Sequence, residues 1–318
     1  MDEKQRRDSL LYCIRIVKER DYENYLNALL APENTRPRIF AVLALNAEVA
    51  IIRQKIKRNS GVTGIYQLQF WKDALNVYGG AQRGPLPRQP VVSALKAYGD
   101  PADVPLLLKL VESRQETLGD RPFETMDKLE HNSDLVYGSM MFLWMNALKS
   151  VTAEVGNAEH EGISHAVHNM SRSVGILTLL RATLPLLHEG VVLLPLDIMA
   201  KHGLREEDIF SNAKPTVLRQ LTQELCQNSY KYLLAARSKR REAIAKHLRP
   251  ALVTYGQRSD YLLRILRKNG HNLFDTKLQE RQSLISWRLL WSYGNSEEAQ
   301  SYLSQSKEGA HEVVQRAG

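Results

Sequence analysis

The chain has 318 residues, 43% hydrophobic and 25% charged, and its 43 basic against 35 acidic residues leave a net charge of +8. That length allows one large domain or two ordinary ones and excludes a disulfide-stapled miniprotein; the composition excludes a chain disordered for want of apolar residues. The positive excess favours anionic partners (nucleic acid, acidic lipid, a diphosphate, an acidic protein) without choosing among them.

In chain order, Met1-Asp2-Glu3-Lys4 carries early acids and no apolar run, which argues against a secretory signal. It also lacks the Arg- and Ser-rich, acid-poor look of a mitochondrial presequence. Leu10, Leu11, Ile14, Ile16 and Val17 form an apolar stripe ahead of Lys18-Glu19-Arg20-Asp21. Tyr22, Tyr25, Leu26, Leu29 and Leu30 keep helical spacing until Pro32 ends the run. A second helix is expected from near Arg36-Pro37 through Ala50, with proline at an N-terminal position it tolerates. A third covers 68–78 and stops at Gly79-Gly80, and the Pro- and Gly-rich stretch 83–90 reads as a loop.

Further helical patterns cover 91–98, 104–118, 125–150, 160–187, 215–236, 240–248, 259–268 and 278–293. The most apolar stretches, 135–148 and 174–187, are interrupted by Asn146 and Arg181 and fall short of the roughly 20 residues a membrane span needs. Both read as buried helices. Val191-Val192-Leu193-Leu194, bracketed by Gly190 and Pro195, reads as an extended connection. No other run has convincing β alternation. The expectation is therefore an all-α chain, a single large helical domain over 1–294, with a polar and flexible tail over 295–318.

Cys13 and Cys226 are far apart and outside any CxxC pair, so two buried thiols in a reducing compartment are expected. His165 and His168 sit three apart on one helix face, but no Cys or carboxylate at matching spacing completes a metal site. Two basic groups, Arg237, Lys239, Arg240 and Arg241, then Arg264, Arg267 and Lys268, form a candidate surface for anionic lipid or an acidic partner. Aromatic residues do not interleave with them, which argues against nucleic acid. Trp287, Leu290 and Trp291 with Arg281 and Arg288 make an aromatic-basic helix suited to core packing or interfacial docking.

The segment Leu180-Arg181-Ala182-Thr183-Leu184-Pro185-Leu186, then Gly190 to Asp197 and Gly203-Leu204, resembles the second signature of the squalene/phytoene synthase family. Phe40 to Leu45, Gln69 to Leu75 and Gln89 to Leu95 resemble three further segments of that family, in the same order. The resemblance runs from about residue 10 to about residue 293 and implies a helical isoprenoid-synthase fold. In active members two Asp-x-x-x-Asp pairs face each other across a cavity and hold Mg²⁺ ions that grip a diphosphate, since this ion requires hard oxygen ligands.

In this chain the aligned positions are Ala50 and Gln54 in the first pair and Ala182 and Leu186 in the second. The Gln and Asn that precede the second motif align with Gly175 and Thr178. Glu48 and Glu189 lie nearby, but neither restores the i, i+4 spacing. Arg181 and Asp197 keep family positions and are expected to form a structural polar pair.

The resemblance is closest to a non-catalytic branch of the family. It implies a pseudoenzyme with no cofactor, no bound metal and no catalytic residue. Such a protein would lie on the matrix side of the mitochondrial inner membrane, peripherally attached. There it would support assembly of respiratory complex I (NADH dehydrogenase) through complex I subunits or other assembly factors. The alternatives are a prenyl-diphosphate transferase with displaced acids and a non-catalytic isoprenoid or lipid carrier.

Overall fold

The computed structural model describes residues 1–55, 61–149, 157–238, 244, 248–280, 286 and 288–289, with side chains taken up to 52 in the third helix and from 160 in the ninth. Among these residues there are helices and connections and no strand. α1 (Glu3–Arg20) starts where Asp2 accepts a hydrogen bond from the Gln5 N–H at 2.6 Å, and it ends at Asp21. The same Asp21 caps α2 (Tyr22–Leu30) by accepting from the Asn24 backbone N–H at 3.4 Å and also accepts from the Asn24 side-chain N–H at 2.7 Å, so one carboxylate turns the chain between two helices.

α3 (Arg36–Lys55) and α4 (Gly61–Tyr78) follow. α5 (Pro90–Tyr98) is capped by Gln89, and α6 (Val104–Glu116) begins after a 3-10 turn. The expected single helix over 125–150 is α7 (Met126–Ser133) and α8 (Ser139–Lys149), joined by a π-helical turn over Asp134–Gly138. A π turn keeps the chain helical and leaves the apolar pattern nearly unbroken, so periodicity does not register it.

α9 (Asn157–His188) is the spine, about 48 Å long at the α-helical rise, and it packs against α7, α12 and α13. Val191 to Leu194 is a buried connection outside any strand, leading to the short α10 (Leu196–Lys201) and α11 (Glu206–Phe210). α12 (Pro215–Ala236) has the expected bounds. α13 (Pro250–Lys268) starts nine residues before the expected 259. Leu278 lies in a 3-10 turn, Thr276–Gln279, instead of opening an α-helix. The helix expected over 240–248 falls almost wholly outside the described residues, as does the 295–318 tail.

Two apolar clusters make the interior. The larger joins α1, α3, α4, α5, α6 and α8 to the first half of α9 and the start of α13, around the fully buried Trp144, Met140 and Met141. The smaller gathers the second half of α9, the 191–194 connection, α12 and the end of α13. α9, α12 and α13 belong to both. No described helix is long and apolar enough to cross a membrane. Cys13 and Cys226 are buried, and burial pushes each thiol up to about 12, with the Glu48 carboxylate adding to the effect at Cys13.

Candidate functional site

The positions aligned with the metal-binding carboxylates lie near the C-terminal ends of α3 and α9. On α3, Ala50 is half-buried between the buried Val49 and Ile51, and the side chain of Gln54 lies outside the described residues. Glu48 is committed elsewhere: its carboxylate accepts the Tyr12 hydroxyl from α1. Burial and that hydrogen bond push the Tyr12 phenol up to about 12.

On α9, Ala182 is half-buried, and Leu186 packs against the smaller apolar cluster. Pro185 sits inside the helix, where its missing N–H leaves the Arg181 carbonyl without its usual partner. Gln279 fills that vacancy, donating from Nε2 to the Arg181 carbonyl at 2.7 Å. Asp197 accepts from the Met126 N–H at 3.0 Å and the Ile198 N–H at 2.7 Å, holding α7 to α10. No ion pair among the described residues joins it to Arg181, so the expected pair does not form. Asp197 is used up by backbone N–H groups at two helix starts.

At Gly175, α9 packs tightly against α7. A Cβ placed there would meet Ser133 Oγ at 1.9 Å and Ser133 Cβ at 2.5 Å. A glutamine at this position cannot coexist with this helix approach. One turn on, the Thr178 hydroxyl oxygen is buried without a hydrogen-bond partner. Alanine and leucine offer no oxygen donor at Ala50, Ala182 and Leu186. These residues do not fit Mg²⁺, which demands oxygen ligands.

Sequence reasoning missed an i, i+4 carboxylate pair that the fold does contain. Glu130 on α7 and Asp134 at the π turn both face Arg172 of α9, at 3.3 and 3.2 Å. The Tyr232 hydroxyl donates to Glu130, the Ser171 hydroxyl donates to Asp134, and His168 Nδ1 lies 3.4 Å from Asp134. Burial opposes the Arg172 charge, but Asp134 and Glu130 outweigh it and raise its pKa further. A guanidinium thus occupies the place a cation would take, and the pair serves as a helix clamp. No group of three or more His, Cys, Asp or Glu among the described residues is placed to hold a metal ion. The histidine pair divides: His168 faces Asp134, while His165 Nδ1 is buried and unpartnered.

The candidate basic surface lies partly among the described residues. Arg237 closes α12 in a bidentate pair with Asp260, at 2.9 and 2.6 Å, so its charge is spent on that carboxylate. Lys239, Arg240 and Arg241 lie outside the described residues, as do Trp287, Leu290 and Trp291. Arg264, Arg267 and Lys268 are exposed at the end of α13, and the Arg264 guanidinium lies 5.7 Å from the centre of the Tyr261 ring.

Comparison with known proteins adds an independent line. A sequence model described as squalene/phytoene synthase matches residues 17–292. The chain is 28% identical over 292 residues to the mouse protein named NADH dehydrogenase (ubiquinone) complex I, assembly factor 6, covering 88% of this chain and 82% of that one. The human protein of that name is 27% identical over 289 residues, covering 87% and 81%. The Drosophila melanogaster homolog is 26% identical over 285 residues, covering 88% and 82%. Among solved structures, a dehydrosqualene synthase with ligand superposes with a TM-score of 0.72 at 18% identity, covering 95% of this chain and 99% of that one. The squalene synthase HpnC of Alicyclobacillus acidocaldarius gives 0.69 at 14%, covering 85% and 97%. Both establish a shared fold.

Proposed function

The chain belongs to the squalene/phytoene synthase family, and we propose that within it the protein is a non-catalytic assembly factor for mitochondrial respiratory complex I. The observation that carries this reading is the alignment with relatives named complex I assembly factor 6, over 88% of this chain in the mouse case. The side-chain geometry agrees with it. Diphosphate ionisation in this fold depends on Mg²⁺ held by carboxylates. Ala50, Ala182 and Leu186 supply none, and the one i, i+4 acid pair described above is bridged by Arg172.

A protein that keeps the fold and not the chemistry acts through its surfaces. We place it on the matrix side of the inner membrane, held peripherally, in contact with complex I subunits or other assembly factors. One helical domain over 1–294 carries the role. Arg264, Arg267 and Lys268, exposed at the end of α13, supply a cationic face for acidic headgroups or an acidic partner. Each cation at an anionic membrane surface contributes about 1 kcal/mol.

Purified protein incubated with labelled farnesyl and geranylgeranyl diphosphate and Mg²⁺ is expected to release no diphosphate above a protein-free control. Metal-dependent release would overturn the non-catalytic reading. An isoprenoid retained in native mass spectrometry, without turnover, would make the protein a carrier instead.

A further inference from the structure

α12 and α13 lie side by side and antiparallel. The end of α12 meets the middle of α13, where Arg237 pairs with Asp260 at 2.6 Å. Two turns back along α12 is Tyr230. Burial raises its phenol, while Arg237 and Arg267 act to lower it, so Arg267, two turns past Asp260, is its neighbour on α13. Both helices turn a polar face outward. Arg219, Gln223, Gln227, Lys231 and Leu234 are exposed on α12, and Asp260, Arg264, Arg267 and Lys268 on α13, each set at helical spacing.

The charges on this face are of one sign once pairs are removed. The two helices hold two acids, and both are paired. Glu224 meets Lys201 at 2.7 Å and His202 at 2.8 Å, and Asp260 meets Arg237. The buried base Arg258 is held by Asp21 and Glu23. What remains is Arg219, Lys231, Arg264, Arg267 and Lys268, all exposed and none in an ion pair among the described residues. Arg219 and Lys231 stand about 18 Å apart along α12 at 1.5 Å per residue, too far for one phosphate or carboxylate to bridge.

That distribution points to the occupant. A protein partner needs an apolar centre, since interfaces place aromatic and aliphatic anchors in the middle and deplete lysine there. Leu234, 42% exposed, is the one large apolar side chain open on these two helices. A layer of anionic headgroups needs no such anchor. It offers many mobile negative charges in a plane, and separated cations contribute to binding one by one.

We propose that the outer face of α12 and α13 rests on the headgroups of an anionic lipid bilayer through Arg219, Lys231, Arg264, Arg267 and Lys268, without sinking apolar side chains into it. The proposal rests on the membrane-surface reading above. It widens the contact from the end of α13 to both helices and selects lipid over an acidic protein.

Full-length protein is floated with vesicles of phosphatidylcholine alone and of phosphatidylcholine and phosphatidylglycerol in equal parts, from low to high salt. Three forms are compared: the wild type, the face variant Lys231→Glu with Arg267→Glu, and the control Lys4→Glu with Arg88→Glu. The control makes the same change in net charge on α1 and on the link before α5. All four substituted residues are exposed, and thermal unfolding by circular dichroism checks that the folds match.

The wild type is expected to bind only the phosphatidylglycerol vesicles and to release them as salt rises. The face variant is expected to lose binding by about thirtyfold or more, and the control by about threefold or less. No loss in the face variant, or an equal loss in the control, would sink the assignment to α12 and α13 and leave the membrane reading standing. Salt-resistant binding to phosphatidylcholine alone would mean that apolar contact holds the protein, and would overturn the headgroup assignment. A wild type that binds neither vesicle overturns both readings, and its capture by polyglutamate would then give the face to an acidic protein.

Discussion

Replacing Gly175 with alanine is expected to destabilise the protein by about 3 kcal/mol, seen as an earlier urea midpoint at unchanged slope. The added methyl would meet Ser133 Oγ at 1.9 Å and Cβ at 2.5 Å, too close for any rotamer of Ser133 to relieve fully. Relief requires α7 and α9 to separate. Both helices feed the packed interior, α7 through Leu129 and α9 through Ile176 and Leu177, so separation opens voids on both sides. The paired substitution Ser133→Gly with Gly175→Ala isolates the contact. It removes the clashing Cβ and leaves Ser133 Cα at 3.5 Å, an ordinary contact. The double variant is expected to be more stable than the two single costs predict, by about 2 kcal/mol of coupling, after the roughly 1 kcal/mol penalty of glycine in a helix. Simple additivity would mean that the helices do not meet there. It would also remove the steric reason why a glutamine cannot occupy position 175.

Arg258→Met is expected to cost about 3 kcal/mol at neutral pH, the lower end for breaking a buried ion pair. Arg258 on α13 bonds Glu23 Oε2 at 2.6 Å and Asp21 Oδ1 at 3.4 Å, with 14% of its side chain exposed. Burial works against its charge, but Glu23 and Asp21 overcome this and hold it protonated more firmly than a free arginine. Asp21 is also the turn residue between α1 and α2, so its loss of a partner disturbs the entry to both helices. The pH dependence fixes the cause. With the guanidinium gone, the Asp21 and Glu23 carboxylates lose their shared counter-charge and repel each other, a cost that protonation relieves. The penalty is then full at neutral pH and shrinks as pH falls into the carboxylate range, where both become protonated. Denaturant titrations of both proteins at pH 7 and at about pH 4 are expected to show a smaller gap at the lower pH. An equal gap at both would mean that lost packing, not uncompensated charge, sets the cost.

Several helix ends were legible from the proline or glycine beside them. Pro90, Gly79 and Pro215 bound helices at the expected places. The start of α13 was not legible, because Val253, Thr254 and Gly256 weaken the local pattern. A Cβ on Gly256 would meet Arg237 at 3.4 Å and Met170 at 3.5 Å, a close fit against the end of α12 and against α9 that local sequence does not carry. The candidate site divides in the same way. Residue identity alone reveals that Ala50, Ala182 and Leu186 lack oxygen donors. Partners far apart in sequence do not announce themselves, so the use of Asp197 by the Met126 N–H, of Arg237 by Asp260 and of Glu130 and Asp134 by Arg172 appears only in the fold. An exposed apolar stripe on α4 was readable in principle from the spacing of Val62, Ile65, Tyr66 and Phe70, but spacing does not say which face of a helix the core leaves open.

The central claim is an assembly role without catalysis, and depletion of the protein from its own cells tests it most directly. Native gels with in-gel NADH dehydrogenase staining report assembled complex I, and parallel staining reports the other respiratory complexes. The account predicts a selective loss of assembled complex I, restored by the full chain and equally by a variant with Glu130→Gln and Asp134→Asn, the only i, i+4 acid pair identified above as a possible cation holder. Normal complex I after depletion would contradict it, as would restoration that fails only when those two carboxylates are neutralised in a variant shown to be folded.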